Sequence, residues 1–374
     1  MPVNKQIQEA MEEATRLTRE GRLAEATAAI QSALGGTKPP QPPGDPKPSR
    51  TGGSLPRVPR APRHFRSKKW MPSRTAGPAP DVSAGGSFAG RTYTNRAGSR
   101  GYRLYVPDGY VGQEVALVVM LHGCTQSPED FAAGTRMNTL AEERTFLVAY
   151  PEQDAGANGS RCWNWFRDAD QRRGRGEPSI ISGITCEVLG NYNVAPGRVY
   201  VAGMSAGGAR AAILGAAYPD LYAAVGVHSG LAPGAARDLP SALSAMRQGN
   251  SVAAPSSGAG GMPPLIAFHG DRDRTVHPRN AEHLLARCLP ATEPETPVAV
   301  KQGQVPGGYA YTRLAHRDRG GRTLAERWTV HGLGHAWSGG SPGGSYTDPK
   351  GPDASAEMVR FFEEHPGRGI PAGG

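Results

Sequence analysis

After Gly86 the chain alternates short, unbroken apolar runs with stretches whose apolar residues recur at helical spacing, and no other feature limits its fold so sharply. Residues 115–121 (VALVVML), 145–150, 199–202, 223–227, 264–268 and 325–330 read as strands, with 91–95 and 102–106 as a hairpin before them. Helical patterns fall between or after them at 127–144, 180–191, 206–218, 278–288 and 354–364. A strand without polar alternation is one buried on both faces, which is how parallel strands under crossover helices are placed. The expectation is an α/β domain over residues 86–366, with a mostly parallel sheet and helices on both faces.

The first 85 residues do not share this pattern. Ile7, Ala10, Met11, Ala14 and Leu17 form one helical stripe, Gly21 sits where a helix would end, and Leu23, Ala26, Ile30, Ala33 and Leu34 begin another. Residues 1–36 therefore read as a helical hairpin, too small to bury its apolar face alone. Residues 37–85 turn to Pro, Gly, Ser and Arg and read as a disordered linker, and 367–374 as a flexible tail. Between positions 46 and 80 stand nine Lys or Arg and no acid, which equals the net charge of +9 of the whole chain. The basic balance thus belongs to an extended segment and not to a folded groove, so no specific nucleic-acid partner is expected.

Other classes are excluded more simply. No apolar run approaches about 18 residues, so no transmembrane helix is expected. The opening residues carry acids and amides where a secretory signal would be apolar, which favours a cytoplasmic location over an extracellular one. Four cysteines are too few for a disulfide scaffold and are not in metal-ligand spacing, so no metal or other cofactor is expected.

The chemistry is carried by Gly203-Met204-Ser205-Ala206-Gly207, which follows an apolar strand and opens an alanine-rich helix. A serine hydroxyl attacks only when it is lifted clear of the backbone and deprotonated as it does so; a strand-turn-helix elbow does the lifting. The acid and base should follow in that order. Strand 264–268 ends in two carboxylates, Asp271 and Asp273, of which Asp273 has the loop length to turn toward a base, while Asp271 suits an Asx-type bond within the loop. Beyond the last strand His331 and His335 compete; His335, between glycines and Trp337, is the better placed to reach the serine. The other histidines, His228 and His269 among them, read as structural or exposed. Backbone N–H groups of Cys124, in the turn after 115–121, and of Ala206 are the expected oxyanion donors. Trp163, Trp165 and Trp337 could line an ester-binding cleft or pack in the core.

LHGCTQ at 121–126, YPEQ at 150–153, CWNWF at 162–166, GMSAGG at 203–208, FHGDRDRTVHP at 268–278 and GHAWSGG at 334–340 resemble the signature set of the polyhydroxybutyrate depolymerase family of esterases, which includes feruloyl and acetylxylan esterases. The resemblance runs over about 90–364. It implies the α/β-hydrolase fold, Ser205, Asp273 and His335 as triad, Cys124 and Ala206 as oxyanion donors, and an ester substrate: a poly- or oligo-3-hydroxyalkanoate, or alternatively a feruloyl or acetyl ester of a plant polysaccharide. Cys124 and Cys162 lie in motifs that both belong near the site, so a disulfide between them is expected in an oxidising compartment. The hairpin and basic linker fall outside the resemblance, and a polyester granule or a protein surface is the partner expected for them.

Overall fold

The computed structural model describes residues 85–249, 262–289 and 298–367, so the expected hairpin 1–36, nearly all of the linker 37–85 and of the tail 367–374 lie outside the described residues. Within them, β1 (Ser87–Asn95) and β2 (Gly98–Val106) form the expected hairpin. The apolar runs follow as β3 (Val115–Leu121), β4 (Leu147–Pro151), β5 (Val194–Met204), β6 (Ala224–His228), β7 (Leu265–Gly270) and, after β8 (Val298–Gln304) and β9 (Ala310–Arg317), β10 (Thr323–His331). These ten strands make one sheet in the order β1-β2-β4-β3-β5-β6-β7-β10-β9-β8. The six central strands β4, β3, β5, β6, β7 and β10 are parallel, and the antiparallel pairs lie toward the two edges. A separate small ribbon pairs β11 (Trp337–Ser338) with β12 (Thr347–Asp348).

The sheet is buried on both sides, and β3 shows why its sequence is unbroken. Leu117, Val119 and Leu121 enter one core with Ile180 and Ile184 of α3 (Gly176–Asn191) and Ala209 of α4 (Ala206–Ala217). Ala116, Val118 and Met120 enter the other, with Phe131 of α1 (Pro128–Thr135), Met137 of α2 (Met137–Arg144) and Phe361 of α7 (Ala354–Glu363). Such sides of about 25 cal/mol per Å² of buried apolar surface hold the layers together. The remaining helices are α5 (Leu239–Gln248) and α6 (Arg279–Cys288).

Three elements depart from expectation. The single helix expected at 127–144 is two, because Arg136 takes a left-handed backbone (φ 54°) that ends α1, while its guanidinium reaches Asp353 at 2.8 Å and the Gly339 carbonyl at 3.1 Å. The β8–β9 extension was not anticipated, since nearly all of β8 is exposed and gives no burial-driven alternation. Helix α5 was missed for a related reason: it buries only Ala242 and Ala245, and its start is set by the Asp238–Ser241 capping box instead of an apolar stripe.

Candidate active site

Strand β5 delivers Ser205 at its end. The serine has φ 55° and ψ −119°, a conformation that costs on the order of 1–3 kcal/mol in a non-glycine residue and persists only where neighbours impose it. Its N–H donates to the His228 carbonyl at 2.9 Å, and its own carbonyl accepts from Ala209 in the first turn of α4. Close approach does the rest. A Cβ at Gly207 would stand 2.0 Å from the Leu121 carbonyl oxygen and 2.5 Å from that of His122, so only glycine lets the first turn of α4 rest on the turn after β3.

That turn, His122-Gly123-Cys124, is held from every side. His122 Nε2 accepts from the Gln153 N–H at 3.0 Å, which fixes its tautomer and leaves Nδ1 to donate to the Gly123 carbonyl at 2.7 Å. Burial lowers the pKa of this imidazole from 6.5 to about 4, so it stays neutral. The His122 carbonyl accepts from the Trp163 indole at 3.1 Å, and Gln126 Oε1 accepts from the Gly123 N–H at 2.9 Å. Cys124 is bonded to Cys162, which ties the turn to the CWNWF segment, whereas Cys186 and Cys288 are free. Beneath it, Glu177 accepts from Gln153, from Asn164 and from Arg210 of α4, so the YPEQ segment, the CWNWF segment and the helix behind Ser205 share one buried carboxylate.

At the ends of β7 and β10 the two acids and two histidines separate into two pairs. His335 Nδ1 lies 2.7 Å from Asp273 Oδ2, and His331 Nδ1 lies 3.0 Å from Asp271 Oδ2. Asp273 is buried, and its Oδ1 accepts from the N–H groups of Thr275 and Val276, both at 2.9 Å. Burial by itself would raise its pKa, but the facing His335 and His269 outweigh it and hold the carboxyl far below the usual range. Asp271 is exposed, and its Oδ1 accepts from the Gly332 N–H at 2.7 Å. The Asx-type bond expected of Asp271 is therefore made by Asp273, with Asp271 bracing the opposite loop. Gly270 allows the two loops to meet, because a Cβ there would stand 2.2 Å from the Leu333 carbonyl oxygen.

The further contacts of the two histidines and their loops differ. His331 Nε2 bonds the Thr312 hydroxyl at 2.9 Å on β9, on the far side of β10 from β5. His335 instead shares a support with Ser205. The His228 ring stacks on Trp337 at 5.1 Å between centroids, and its Nε2 accepts from the Ser338 N–H at 3.0 Å, while its carbonyl holds Ser205. Burial depresses the His228 pKa from 6.5 to about 3, so it acts as a neutral brace.

Trp163 and Trp337 have no surface to offer a ligand. They are 0% and 1% exposed, with their indole N–H groups on the His122 carbonyl and the Ser355 hydroxyl, so of the two readings left open in the sequence, cleft lining and core packing, their burial supports core packing. Trp165, at 5%, is also core, edge-on to Phe166. His228 and His269 were set aside in the sequence as structural or exposed; both are buried beside the Asp273–His335 pair. Their position as polar residues at or next to the ends of two buried strands, β6 beside the nucleophile strand and β7 one strand further, was the available signal.

Comparison with known proteins agrees with this geometry. A family model described as Esterase PHB depolymerase matches residues 100–292, just over half of the chain. The chain is 31% identical over 241 residues to a poly(3-hydroxyalkanoate) depolymerase C of Paucimonas lemoignei, covering 62% of this chain and 57% of that protein. It is 31% identical over 197 residues to a feruloyl esterase B of Neurospora crassa (48% and 66%) and 29% over 196 residues to an acetylxylan esterase A of Emericella nidulans (48% and 63%). The chain thus spans between about half and two thirds of the length of these relatives. Among solved structures, an acetyl xylan esterase from Aspergillus awamori superposes with a TM-score of 0.57 at 22% identity, covering 75% of this chain and all of that one, which supports the α/β-hydrolase fold.

Proposed function

The chain belongs to the Esterase PHB depolymerase family, and on that footing we propose that it is a serine carboxylester hydrolase with Ser205 as nucleophile, His335 as base and Asp273 as the orienting acid. The observation that carries the reading is the 2.7 Å bond from His335 Nδ1–H to the buried, ionised Asp273, which leaves Nε2 unprotonated as the acceptor for the Ser205 proton. As Ser205 Oγ attacks the ester carbonyl, its proton passes to His335 Nε2 and negative charge gathers on the former carbonyl oxygen. The amides of Cys124 and Ala206 are assigned to that oxygen; the second stands at the N-terminus of α4, where the helix dipole adds to it. His335 then protonates the leaving alcohol, and a water deprotonated by His335 releases the acid from Ser205. No step calls on a metal or other cofactor. Ser205→Ala should reduce turnover of a short-chain p-nitrophenyl ester by at least about 10⁴-fold; full activity would refute the assignment.

For the substrate class, the longest of the matches described above, to the depolymerase, favours a 3-hydroxyalkanoate ester in oligomeric or accessible polymeric form. The similarity to an acetylxylan esterase and a feruloyl esterase supports a second reading, an acetyl or feruloyl ester of a polysaccharide. Product analysis on hydroxybutyrate oligomers against acetylated and feruloylated xylans separates them. Among the described residues no helix is long and apolar enough to cross a membrane. Residues 1–85 are proposed, from their sequence, to tether the enzyme to a polyester granule or a protein surface. Deleting them should weaken association with particulate substrate and spare soluble-ester turnover; unchanged association would end the tether reading.

A further inference from the structure

The buried carboxylate of Asp273 meets two imidazoles and not one. Its Oδ2 lies 2.7 Å from His335 Nδ1 and 3.4 Å from Nε2 of His269, which sits on β7, four residues before it and 3% exposed. His269 Nε2 also bonds the Val276 carbonyl at 2.8 Å, and that nitrogen must carry the proton, because a carbonyl only accepts. Val276 is in turn the residue whose N–H holds the other oxygen, Asp273 Oδ1, at 2.9 Å. His269 therefore bears on the acid-bearing turn twice, by its hydrogen bond to the Val276 carbonyl and by the 3.4 Å approach of the same N–H edge to the carboxylate. Its Nδ1 is buried with no protein partner, an arrangement that simple core packing would avoid.

Resting on the triad reading above, the geometry points to His269 as a positioning residue for the acid: its Nε2–H holds the Val276 carbonyl, and with it the turn whose Val276 N–H grips Asp273 Oδ1, and the same N–H edge lies 3.4 Å from Asp273 Oδ2, where it offsets part of the carboxylate's charge. The charged and titratable groups around it are Asp273 itself, His335 on the loop after β10 and His228 on β6. His228 stays neutral, so the charge shared by His269 is that of Asp273 alone. Removing the His269 donor has two consequences. The carboxylate gains rotational freedom, which loosens His335, and it presents more charge to the His335 imidazolium, which then holds its proton to higher pH.

His269→Leu should lower kcat on a soluble short-chain ester about 10-fold with KM within about twofold, since misplacement of a catalytic group by a fraction of an ångström has effects of this size. The acid limb of kcat/KM should move up by about half a pH unit, because the N–H edge that faces the charged carboxylate has been lost. In an Asp273→Asn background the same change should do almost nothing further, a non-additivity that a merely structural histidine would not give. His269→Gln, which keeps a donor at similar reach, should recover most of kcat and return the limb, whereas His269→Asn, one methylene shorter, should not; this second pair serves if the leucine variant fails to fold. Wild-type kcat and an unmoved limb in His269→Leu, or identical behaviour of the Gln and Asn variants, would overturn the inference while leaving the triad intact. Undiminished activity of Ser205→Ala would overturn the triad reading and this inference with it.

Discussion

Asp273 with His335 and Asp271 with His331 are built from the same groups at nearly the same separations, 2.7 and 3.0 Å, at the ends of the same two strands. Their surroundings differ. The Asp273 side chain is fully buried and that of His335 is 13% exposed, while Asp271 and His331 are 40% and 44% exposed. In the exposed pair, water competes for both partners and screens their charge, so the bond shapes a loop and little else. In the buried pair the carboxylate has no water to turn to; it stays ionised because two histidines and two backbone amides face it. The neighbours also differ: His331 Nε2 bonds Thr312 on a flanking strand, whereas the loop that carries His335 is held by His228, whose carbonyl holds Ser205. Desolvation and orientation, not residue type, separate a candidate catalytic pair from a structural one.

The largest effects should fall on one side of that comparison. Asp273→Asn is expected to reduce kcat by about 10³–10⁴-fold, because an amide there favours the wrong His335 tautomer, as read by steady-state kinetics on a short-chain ester. Asp271→Asn should cost no more than about threefold, through the loosened Gly332 loop. Comparable losses in the two variants would break the distinction between the pairs.

An intermediate effect is expected at the turn after β3. Breaking the Cys124–Cys162 bond by Cys162→Ala should destabilise the domain by about 4 kcal/mol in the chain-entropy picture, measured by urea denaturation. It should lower kcat by about 10-fold or less, since Gln126, Gln153 and Trp163 still hold the turn. Unaltered kcat would show that the remaining hydrogen bonds position the Cys124 amide unaided.

A smaller, graded effect concerns acid. His122 and His228 bind a proton in the unfolded chain near pH 6.5 but in the folded one only near pH 4 and 3. Below pH 6.5 the unfolded state therefore binds more protons, and stability falls as pH falls, by up to about 1.4 kcal/mol per pH unit for each histidine until the folded pKa is reached. The depressed Asp273 adds to the loss only below its unfolded value of about 3.8. His228→Gln should flatten the stability profile between pH 6 and 4; an unchanged slope would mean that this imidazole is not kept neutral by burial.

The central strands and the elbow were legible because each rests on a local pattern: an unbroken apolar run and a glycine-flanked serine between strand and helix. The edge strand β8 and its neighbour β9 were not, since β8 is exposed along nearly its whole length and most of β9 is only half-buried, which weakens the alternation that sequence can show. Nor was the second pair, His331 with Asp271, because the two acids differ by two residues in sequence and by burial only after β10 has docked beside β7. The tryptophans misled for a physical reason as well: an indole beside a catalytic loop serves equally to bind a ligand or to brace the loop, and only the buried Trp163 and Trp337 hydrogen bonds distinguish the two. His269 acts on the site through a carboxylate four residues away, a relation that no motif spells out.

Covalent labelling tests the account at its centre. The protein is treated with an alkyl fluorophosphonate, digested, and the adduct located by mass spectrometry, in parallel with Ser205→Ala, Asp273→Asn and Asp271→Asn. The account predicts one adduct per chain, on Ser205, absent in Ser205→Ala, strongly slowed in Asp273→Asn and formed at close to the normal rate in Asp271→Asn. An adduct on Thr312, beside the exposed His331–Asp271 pair, or an unlabelled Ser205 in enzyme that still hydrolyses esters, would contradict it.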